Sequence, residues 1–189
     1  MTEREVLALY EKTGALMRGH FKLTSGLHSE VYLQSALVLQ YPEQAEILGR
    51  ALAAPFVDAH VTAVVAPAIG GIPVSHEVAR ALGARALFAE RESGVMTLRR
   101  GFTLSPGERC LVVEDVITTG GSTREVVTCV EANAGTVVGV GSLIDRSGGT
   151  ASFDVKRVAL ATIEAVNYRP EDCPLCRSGG QAIKPGSRS

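Results

Sequence analysis

Short apolar runs rich in β-branched residues alternate along the chain with segments whose apolar positions repeat every three to four residues. The apolar runs predict strands, and the periodic segments between them predict helices. The strands are predicted at residues 61–65, 85–88, 110–113, 136–144 and 158–163. Helices are predicted at 72–82, closed by Gly83, and at about 123–134, closed by Gly135. This alternation predicts βαβ connections and a mostly parallel sheet covered by helices on both faces.

The ends of the chain follow a different pattern. Thr2 and Glu5 have the spacing of a capping box at the start of an amphipathic helix. Residues 20–41 indicate turn-rich β structure, and Pro42 opens a helix to about Ala54. Residues 169–189 are rich in Pro, Gly and Ser, which predicts a loosely packed tail.

The fold class predicted from these patterns is α/β, a parallel sheet flanked by helices with a small N-terminal lobe. We expect a single domain over residues 1–170. Within it, residues 1–41 form the N-terminal helix and lobe, and residues 55–165 form the α/β core. Residues 171–189 are the predicted C-terminal tail.

The balance of charged residues limits the kinds of partner that the protein can bind. The 189 residues carry 19 Lys and Arg against 20 Asp and Glu, a formal net charge of −1. This balance argues against a nucleic-acid or anionic-membrane partner, so an anionic ligand must be held by a local arrangement of charges and backbone dipoles. The acidic N-terminus does not resemble a signal peptide. We therefore expect a cytoplasmic protein with neither nucleic acid nor membrane as partner.

In open parallel sheets, ligands bind beyond the carboxyl ends of the strands. That rule selects the segments 66–71, 89–103, 114–122 and 145–150 as candidate ligand-binding loops. The third of these carries the clearest chemistry. Residues 111–123 have the sequence LVVEDVITTGGST, in which a buried strand is followed by two adjacent carboxylates and a turn of small and hydroxyl-bearing residues.

Two neighbouring acids repel each other, so Glu114 and Asp115 fit binding of a sugar diol or a divalent cation better than a structural role. The small residues after them let the backbone wrap an anion. Ser122 and Glu125 have capping-box spacing, which would aim a helix N-terminus at the same anion. The segment predicts a phosphate site one ribose away from the acids, against the alternative of an ordinary Gly-rich turn. It lacks the glycine and lysine spacing of a P-loop or a dinucleotide fold.

The segment LVVEDVITTGGST resembles the phosphoribosyl-diphosphate (PRPP) signature of type I phosphoribosyltransferases. Three further segments, in the right order, resemble the branch of that family that uses orotate. They are Phe21–Gly26 with Ser29 and Tyr32 behind it, Ala66–Pro73, and Leu143–Arg146. The resemblance covers about residues 15–165 and implies transfer of ribose 5-phosphate from PRPP to orotate.

The resemblance also implies roles for individual residues. Glu114 and Asp115 would bind the ribose hydroxyls, and the following turn would wrap the 5-phosphate. The implied PRPP-binding set is Glu114, Asp115, Val116, Ile117, Thr118, Thr119, Gly120, Gly121 and Ser122. The implied orotate-binding set is Thr118, Arg146, Thr24, Ser25, Gly26 and Tyr32, with Arg146 pairing with the orotate carboxylate. The diphosphate would lie on Ala68, Ile69, Gly70 and Gly71.

In the family, the segment corresponding to 90–102 is a mobile loop that reaches into the neighbouring subunit of a dimer, and Mg²⁺ accompanies PRPP. We therefore expect a homodimer, and Mg²⁺ bound mainly through PRPP with no dedicated protein metal site. This chain lacks several family lysines, with Thr24 and Gly70 at two such positions and neither Lys nor His in the mobile loop. The implied catalytic cations are Arg91, Arg99 and Arg100. The alternative for the last two is a solvated basic turn.

The histidines and cysteines raise the question of a metal site. The four histidines show no metal-ligand spacing: His20, His28, His60 and His76. Cys173 and Cys176 have the spacing of half a zinc site, and the other half is expected only from a second subunit or from Cys110 and Cys129. The sequence favours a disulfide or two inert thiols over zinc.

Two rival functions remain at this stage. A purine-type phosphoribosyltransferase would share the PRPP turn but has no use for an arginine that meets a carboxylate, so Arg146 favours orotate. A non-catalytic PRPP-sensing regulator would account for the missing lysines. Such a regulator normally carries a DNA-binding helix-turn-helix or a basic stripe, and the sequence shows neither.

Overall fold

The protein is described here by a computed structural model that covers residues 1–23 and 25–185; Thr24 lies outside the described residues. Two sheets and six α-helices make up this part of the chain. The strands are β1 (Leu16–Lys22), β2 (His28–Leu33), β3 (Ala63–Pro67), β4 (Arg85–Glu92), β5 (Val95–Leu98), β6 (Arg109–Ile117), β7 (Thr136–Asp145), β8 (Arg157–Thr162) and β9 (Asn167–Tyr168). The helices are α1 (Glu3–Lys12), α2 (Ala36–Leu39), α3 (Pro42–Ala53), α4 (Gly71–Leu82), α5 (Gly121–Ala132) and α6 (Pro174–Arg177).

The larger sheet has six strands in the order β5-β4-β3-β6-β7-β8. All neighbouring pairs are parallel except β4 and β5, which form an antiparallel hairpin. The predicted α/β fold with a mostly parallel sheet is confirmed. The predicted ligand-binding loop at 89–103 contains most of this hairpin in the structure. The hairpin was not predicted, because its exposed, charged residues lack the apolar alternation of a half-buried strand.

The central strands are buried on both faces, and their alternating side chains feed two separate cores. Val64 and Leu111 are paired in register and pack into the core covered by α1, α3 and α4. Ala63 and Val65 point the other way, into the core covered by α5. This explains why β3 and β6 are continuous apolar runs in the sequence.

Strand order changes direction between β3 and β6. From β3 the chain crosses through α4 to β4 on one side, and from β6 it crosses through α5 to β7 on the other. The loops that follow β3 and β6 therefore diverge and leave a crevice between them, as at the switch point of other open α/β sheets. The candidate phosphate turn and the segment 68–71 border this crevice.

A second sheet, in the order β1-β2-β9, forms the small lobe. Its third strand comes from residues 167–168, near the other end of the chain, so the lobe is not purely N-terminal as predicted. The predicted capping box of α1 is confirmed. The Glu5 amide donates to Thr2 Oγ1 at 3.4 Å, and the Thr2 amide donates to Glu5 Oε2 at 2.7 Å.

The described part of the predicted tail, up to residue 185, is mostly exposed but is bonded to the small lobe. The Ile183 amide donates to the His20 carbonyl at 2.8 Å, and the Lys22 amide donates to the Ile183 carbonyl at 2.8 Å, so the tail runs along β1. Cys173 is fully buried. Among the described residues, no helix combines the length and apolar character needed to cross a membrane.

Candidate active site

Glu114 and Asp115 occupy the carboxyl end of β6, where the strand emerges from the core. The hydroxyl of the buried Thr123, in the first turn of α5, donates a hydrogen bond to Glu114 Oε2. Burial raises the pKa of Glu114 from its ordinary value of 4.5 to about 7; the Thr123 hydrogen bond opposes this rise, and the neighbouring charge of Asp115 adds to it. This carboxyl group therefore changes charge close to neutral pH.

Asp115 lies against the loop that follows β3. A Cβ atom placed on Gly70 would come within 2.9 Å of Asp115 Oδ1, so only glycine permits this approach. Burial raises the pKa of Asp115, and a hydrogen bond from Ser35 partly offsets that rise. Ser35 is 1% exposed, and its Oγ lies 3.2 Å from the hydroxyl of Tyr10. A buried polar chain from α1 therefore fixes the second carboxylate.

The turn between β6 and α5 presents an uncapped helix N-terminus. Gly120 adopts a left-handed conformation, with φ of 78°, and α5 begins at Gly121 with no side-chain cap. The predicted capping box of Ser122 and Glu125 is therefore wrong: both residues lie inside the helix. The helix starts at Gly121, directly after the left-handed Gly120, two residues before the start that the sequence predicted. The unpaired N–H groups at such an end attract an anion.

A cavity of about 360 Å³ opens over these groups. It brings together the two carboxylates, Ser122 and the whole predicted diphosphate segment, with Glu90 and Arg91 at its edge. The lining residues include Ala68, Ile69, Gly70, Gly71, Glu90, Arg91, Glu114, Asp115 and Ser122. Side chains of Val116 and Ile117 pack into the two cores, so only their backbone can face a ligand.

A second cavity, of about 630 Å³, lies on the lobe side of the same turn. It is lined by Leu23, Ser25, Leu27, Tyr32, Leu33, Thr118, Thr119, Arg146 and Asn167. The structure therefore gathers most of the predicted orotate residues. Gly26 forms the turn of the β1–β2 connection with φ of 86°, and Thr24 lies outside the described residues.

Arg146 follows β7 and is the cation of this second cavity. Its Nη2 donates to Ser29 Oγ at 3.0 Å and to Asn167 Oδ1 at 2.9 Å, which ties the sheet to the lobe. Burial lowers its pKa. Its Nε is buried and has no hydrogen-bond partner among the described residues, so one donor remains to be satisfied. Asn167 was missed by the sequence analysis, because a lone amide in a loop carries no motif.

The three predicted catalytic arginines each face a carboxylate. Arg91 Nη1 lies 2.6 Å from Glu125 Oε2, and Arg99 Nε lies 3.3 Å from Glu92 Oε1. Arg100 donates to both carboxylate oxygens of Glu90, at 2.8 and 2.9 Å. Within the described chain, Arg91 lines the 360 Å³ cavity and the other two do not.

The site is a crevice at the switch point of the sheet, bordered by two adjacent carboxylates and a helix N-terminus. Residues 39–175 match the family model described as the phosphoribosyl transferase domain. The solved adenine phosphoribosyltransferase from Rhodothermus marinus shares this fold, with a TM-score of 0.64 and 23% identity over 83% of this chain and 99% of that one. The fold is therefore common to enzymes that use different bases.

The sequence relatives identify the branch of the phosphoribosyltransferases to which the chain belongs. The chain is 60% identical over 188 residues to the orotate phosphoribosyltransferase of Pelotomaculum thermopropionicum, which covers 100% of this chain and 99% of that protein. It also matches the crystal structure of orotate phosphoribosyltransferase from Aeropyrum pernix, with a TM-score of 0.68 and 29% identity over 84% of this chain and 94% of that one. The chain belongs to the orotate phosphoribosyltransferase family.

Proposed function

We propose that the chain transfers ribose 5-phosphate from PRPP to orotate, giving orotidine 5-phosphate and diphosphate in the synthesis of pyrimidine nucleotides. One observation carries the proposal. The segment 114–122 borders two cavities, one lined by Glu114 and Asp115 and the other by Arg146. A ribose held across this segment would present its phosphates to one cavity and its C1 to the other.

PRPP fits the smaller cavity in three parts. The 5-phosphate would lie at the N-terminus of α5, where Gly120 and Gly121 leave the backbone accessible. The ribose hydroxyls would donate to Glu114 and Asp115, whose raised pKa values show how poorly burial suits these charges without such donors. The diphosphate would lie along residues 68–71.

Orotate fits the larger cavity because Arg146 offers its carboxylate a planar set of donors. The Nε atom of Arg146 has no hydrogen-bond partner among the described residues, and burial keeps water away from this guanidinium. Both features favour the binding of an anionic ligand. Thr118 lies in the same lining, and Tyr32 closes the opposite side. A purine has no carboxylate to meet this arginine.

The reaction is a displacement at the ribose C1. The N1 of orotate forms the new bond and loses its proton, and the C1–oxygen bond breaks with its electron pair leaving on diphosphate, which with solvent takes up that proton. No side-chain nucleophile is needed, so the residues act by orienting two substrates and by stabilising charge. Arg91 is the described cation best placed to face the leaving diphosphate, since it lines the PRPP cavity.

Mg²⁺ is the proposed cofactor. The oxygen donors of Glu114 and Asp115 fit a hard cation that keeps its waters and binds mainly through the substrate phosphates. When bound, it would supply positive charge to the leaving diphosphate. The cytoplasm is the proposed compartment, and the four cysteines, all present as free thiols, support a reducing environment.

A homodimer is also part of the proposal, with the segment 90–102 completing the neighbouring site. The exposed arginines Arg99 and Arg100, which lie off the cavity of their own chain among the described residues, support this arrangement. Mixing Arg100→Ala with Arg146→Ala, at an orotate concentration where each variant alone has lost most of its activity, tests it. Random association would give hybrid dimers with one intact site and about one quarter of the native activity. Absence of recovery, with dimer exchange shown by mass, would place the loop in its own site.

Turnover tests the function directly. Purified enzyme with PRPP and Mg²⁺ is expected to consume orotate, followed by its absorbance, and to release diphosphate in equal amount. Adenine and hypoxanthine in place of orotate are the matched controls and are expected to give no product. A preference for a purine would replace the proposed activity, and no turnover at micromolar enzyme would favour a PRPP-binding regulator.

A further inference from the structure

Four metal-ligating side chains meet where the C-terminal segment packs against the small lobe, and none of them lines either cavity. They are His20, His28, Cys173 and Cys176, and their ligand atoms all lie within 4.8 Å of one another. His20 is on β1 and His28 is on β2, while Cys173 caps the start of the short helix α6 and Cys176 lies within it. The two halves of this cluster are separated by more than half of the chain.

Four of the six distances among these ligand atoms are close to those of a tetrahedron. With bonds of about 2.3 Å to sulfur and about 2.0–2.1 Å to nitrogen, adjacent ligand atoms around zinc lie roughly 3.3–3.8 Å apart. Cys173 Sγ lies 3.4 Å from His20 Nε2, and Cys176 Sγ lies 3.3 Å from His28 Nδ1. Cys176 Sγ lies 3.7 Å from His20 Nε2. The two histidine nitrogens, 2.9 Å apart, need to separate by only a few tenths of an ångström.

Hydrogen bonding alone explains this arrangement poorly. The Nε2 atom of His20 faces one nitrogen and two sulfurs, although an imidazole nitrogen carries at most one proton. Cys173 is fully buried and His28 is 7% exposed, so solvent does not separate these groups. A single cation at the centre would satisfy all four ligand atoms at once.

We propose that these four side chains bind one Zn²⁺ ion in a Cys₂His₂ site. Two thiolates and two imidazoles in a tetrahedral array are the donor set that zinc prefers. All four positions are filled by protein, which is the pattern of a structural site and leaves no position for a substrate. The sequence analysis missed the second half of the site, because the histidines have no ligand spacing along the chain.

The ion would fasten the tail to the lobe. The cysteines precede Ile183, which bonds to the backbone of β1. The histidines lie on β1 and β2, whose connection supplies Leu23, Ser25 and Leu27 to the second cavity. The Tyr32 hydroxyl donates to the Pro185 carbonyl at 3.5 Å, further along the same tail. Zinc would therefore hold the pyrimidine side of the active site in place without touching substrate.

Metal analysis of the purified, untagged enzyme tests the proposal without any turnover measurement. Atomic emission is expected to find about one zinc per chain. Replacement by Co²⁺ is expected to give the intense visible bands of a tetrahedral thiolate site. Removal of zinc is expected to lower the midpoint of thermal unfolding by about 5 °C or more, and to raise the KM for orotate more than the KM for PRPP.

Matched variants locate the ion. Cys173→Ser and His28→Gln are expected to lose at least about nine tenths of the zinc, whereas Cys129→Ala and His76→Gln, which alter residues far from the cluster, are expected to retain it. Zinc below about one tenth per chain in the native enzyme, with no cobalt bands, would overturn the proposal. So would a Cys173–Cys176 disulfide found by alkylation and mass spectrometry, or iron in place of zinc.

Discussion

Glu114 and Asp115 are two adjacent carboxylates that the fold buries although burial disfavours their charged forms. Each carboxylate is held by a partner from a different element, Thr123 on α5 and Ser35 ahead of α2. Burial nevertheless raises both pKa values. A fold that keeps two adjacent acids in this position gains no stability from them at neutral pH. In the proposed reaction, these two carboxylates receive the ribose hydroxyls.

The pKa of Glu114 leads to a pH prediction. Because its folded pKa of about 7 exceeds its ordinary 4.5, the native state holds more protons than the unfolded state between these values. This residue's contribution to the free energy of unfolding therefore falls as pH rises through that window. Glu114→Gln is expected to flatten the stability profile from about pH 4.5 to 7, measured by urea unfolding. Identical profiles for both proteins would contradict the assigned pKa.

At the scale of elements, the β6–α5 turn depends on Gly120. This residue has a φ of 78°, and a Cβ there would come within 3.1 Å of Phe153 Cζ. Gly121, one residue later, has space around it, with Thr119 Oγ1 3.6 Å away. The left-handed reversal lets α5 start without a capping side chain and keeps its N-terminus open.

Gly120→Ala is therefore expected to lower the free energy of unfolding by about 1–2 kcal/mol through backbone strain. It is also expected to raise the KM for PRPP, since the turn that wraps the 5-phosphate would shift. Gly121→Ala is the control and is expected to change the free energy of unfolding by no more than about 0.5–1 kcal/mol, because its position is helical. Equal destabilisation by both substitutions would argue against a special role for Gly120.

The hairpin of β4 and β5, with the two residues after it, carries the three arginines that we propose as substitutes for the missing lysines. Arg91 lies on the PRPP cavity, whereas Arg99 pairs with Glu92 on the exposed face. Arg91→Ala is expected to lower kcat/KM for PRPP by at least about 10-fold, the cost of one charge-assisted hydrogen bond. Arg99→Ala is expected to have the smaller effect in steady-state assays. The reverse order would make Arg99 the diphosphate ligand.

Across the whole molecule, local sequence patterns predicted the elements that build the core and the PRPP turn. Strands β3, β6 and β7 are apolar runs because both faces are buried, and helices α4 and α5 end at glycine or asparagine signals near the predicted positions. The motif of residues 111–123 lies within one βα unit, so its geometry is set locally.

Features that join distant parts of the chain escaped prediction. Asn167 reaches Arg146 only because β9 pairs with β2, and His20 meets Cys173 only because the tail folds back along β1. The hydrophobic periodicity of one segment does not indicate which distant segment it will pair with. The spacing of Ser122 and Glu125 led to a wrong prediction of a capping box for the opposite reason. A local signal was overridden by Gly120, which starts the helix earlier, and Glu125 instead pairs with Arg91.

The most direct test of the orotate assignment is the KM of Arg146→Ala for each substrate. Arg146 lines the orotate cavity and holds the lobe to the sheet, so Asn167→Ala, which removes one lobe contact but leaves the guanidinium, is the matched control. Loss of a charge-assisted pair is expected to raise the KM for orotate by roughly 10- to 150-fold. The KM for PRPP is expected to change little. An unchanged KM for orotate in Arg146→Ala would contradict the proposed recognition of orotate.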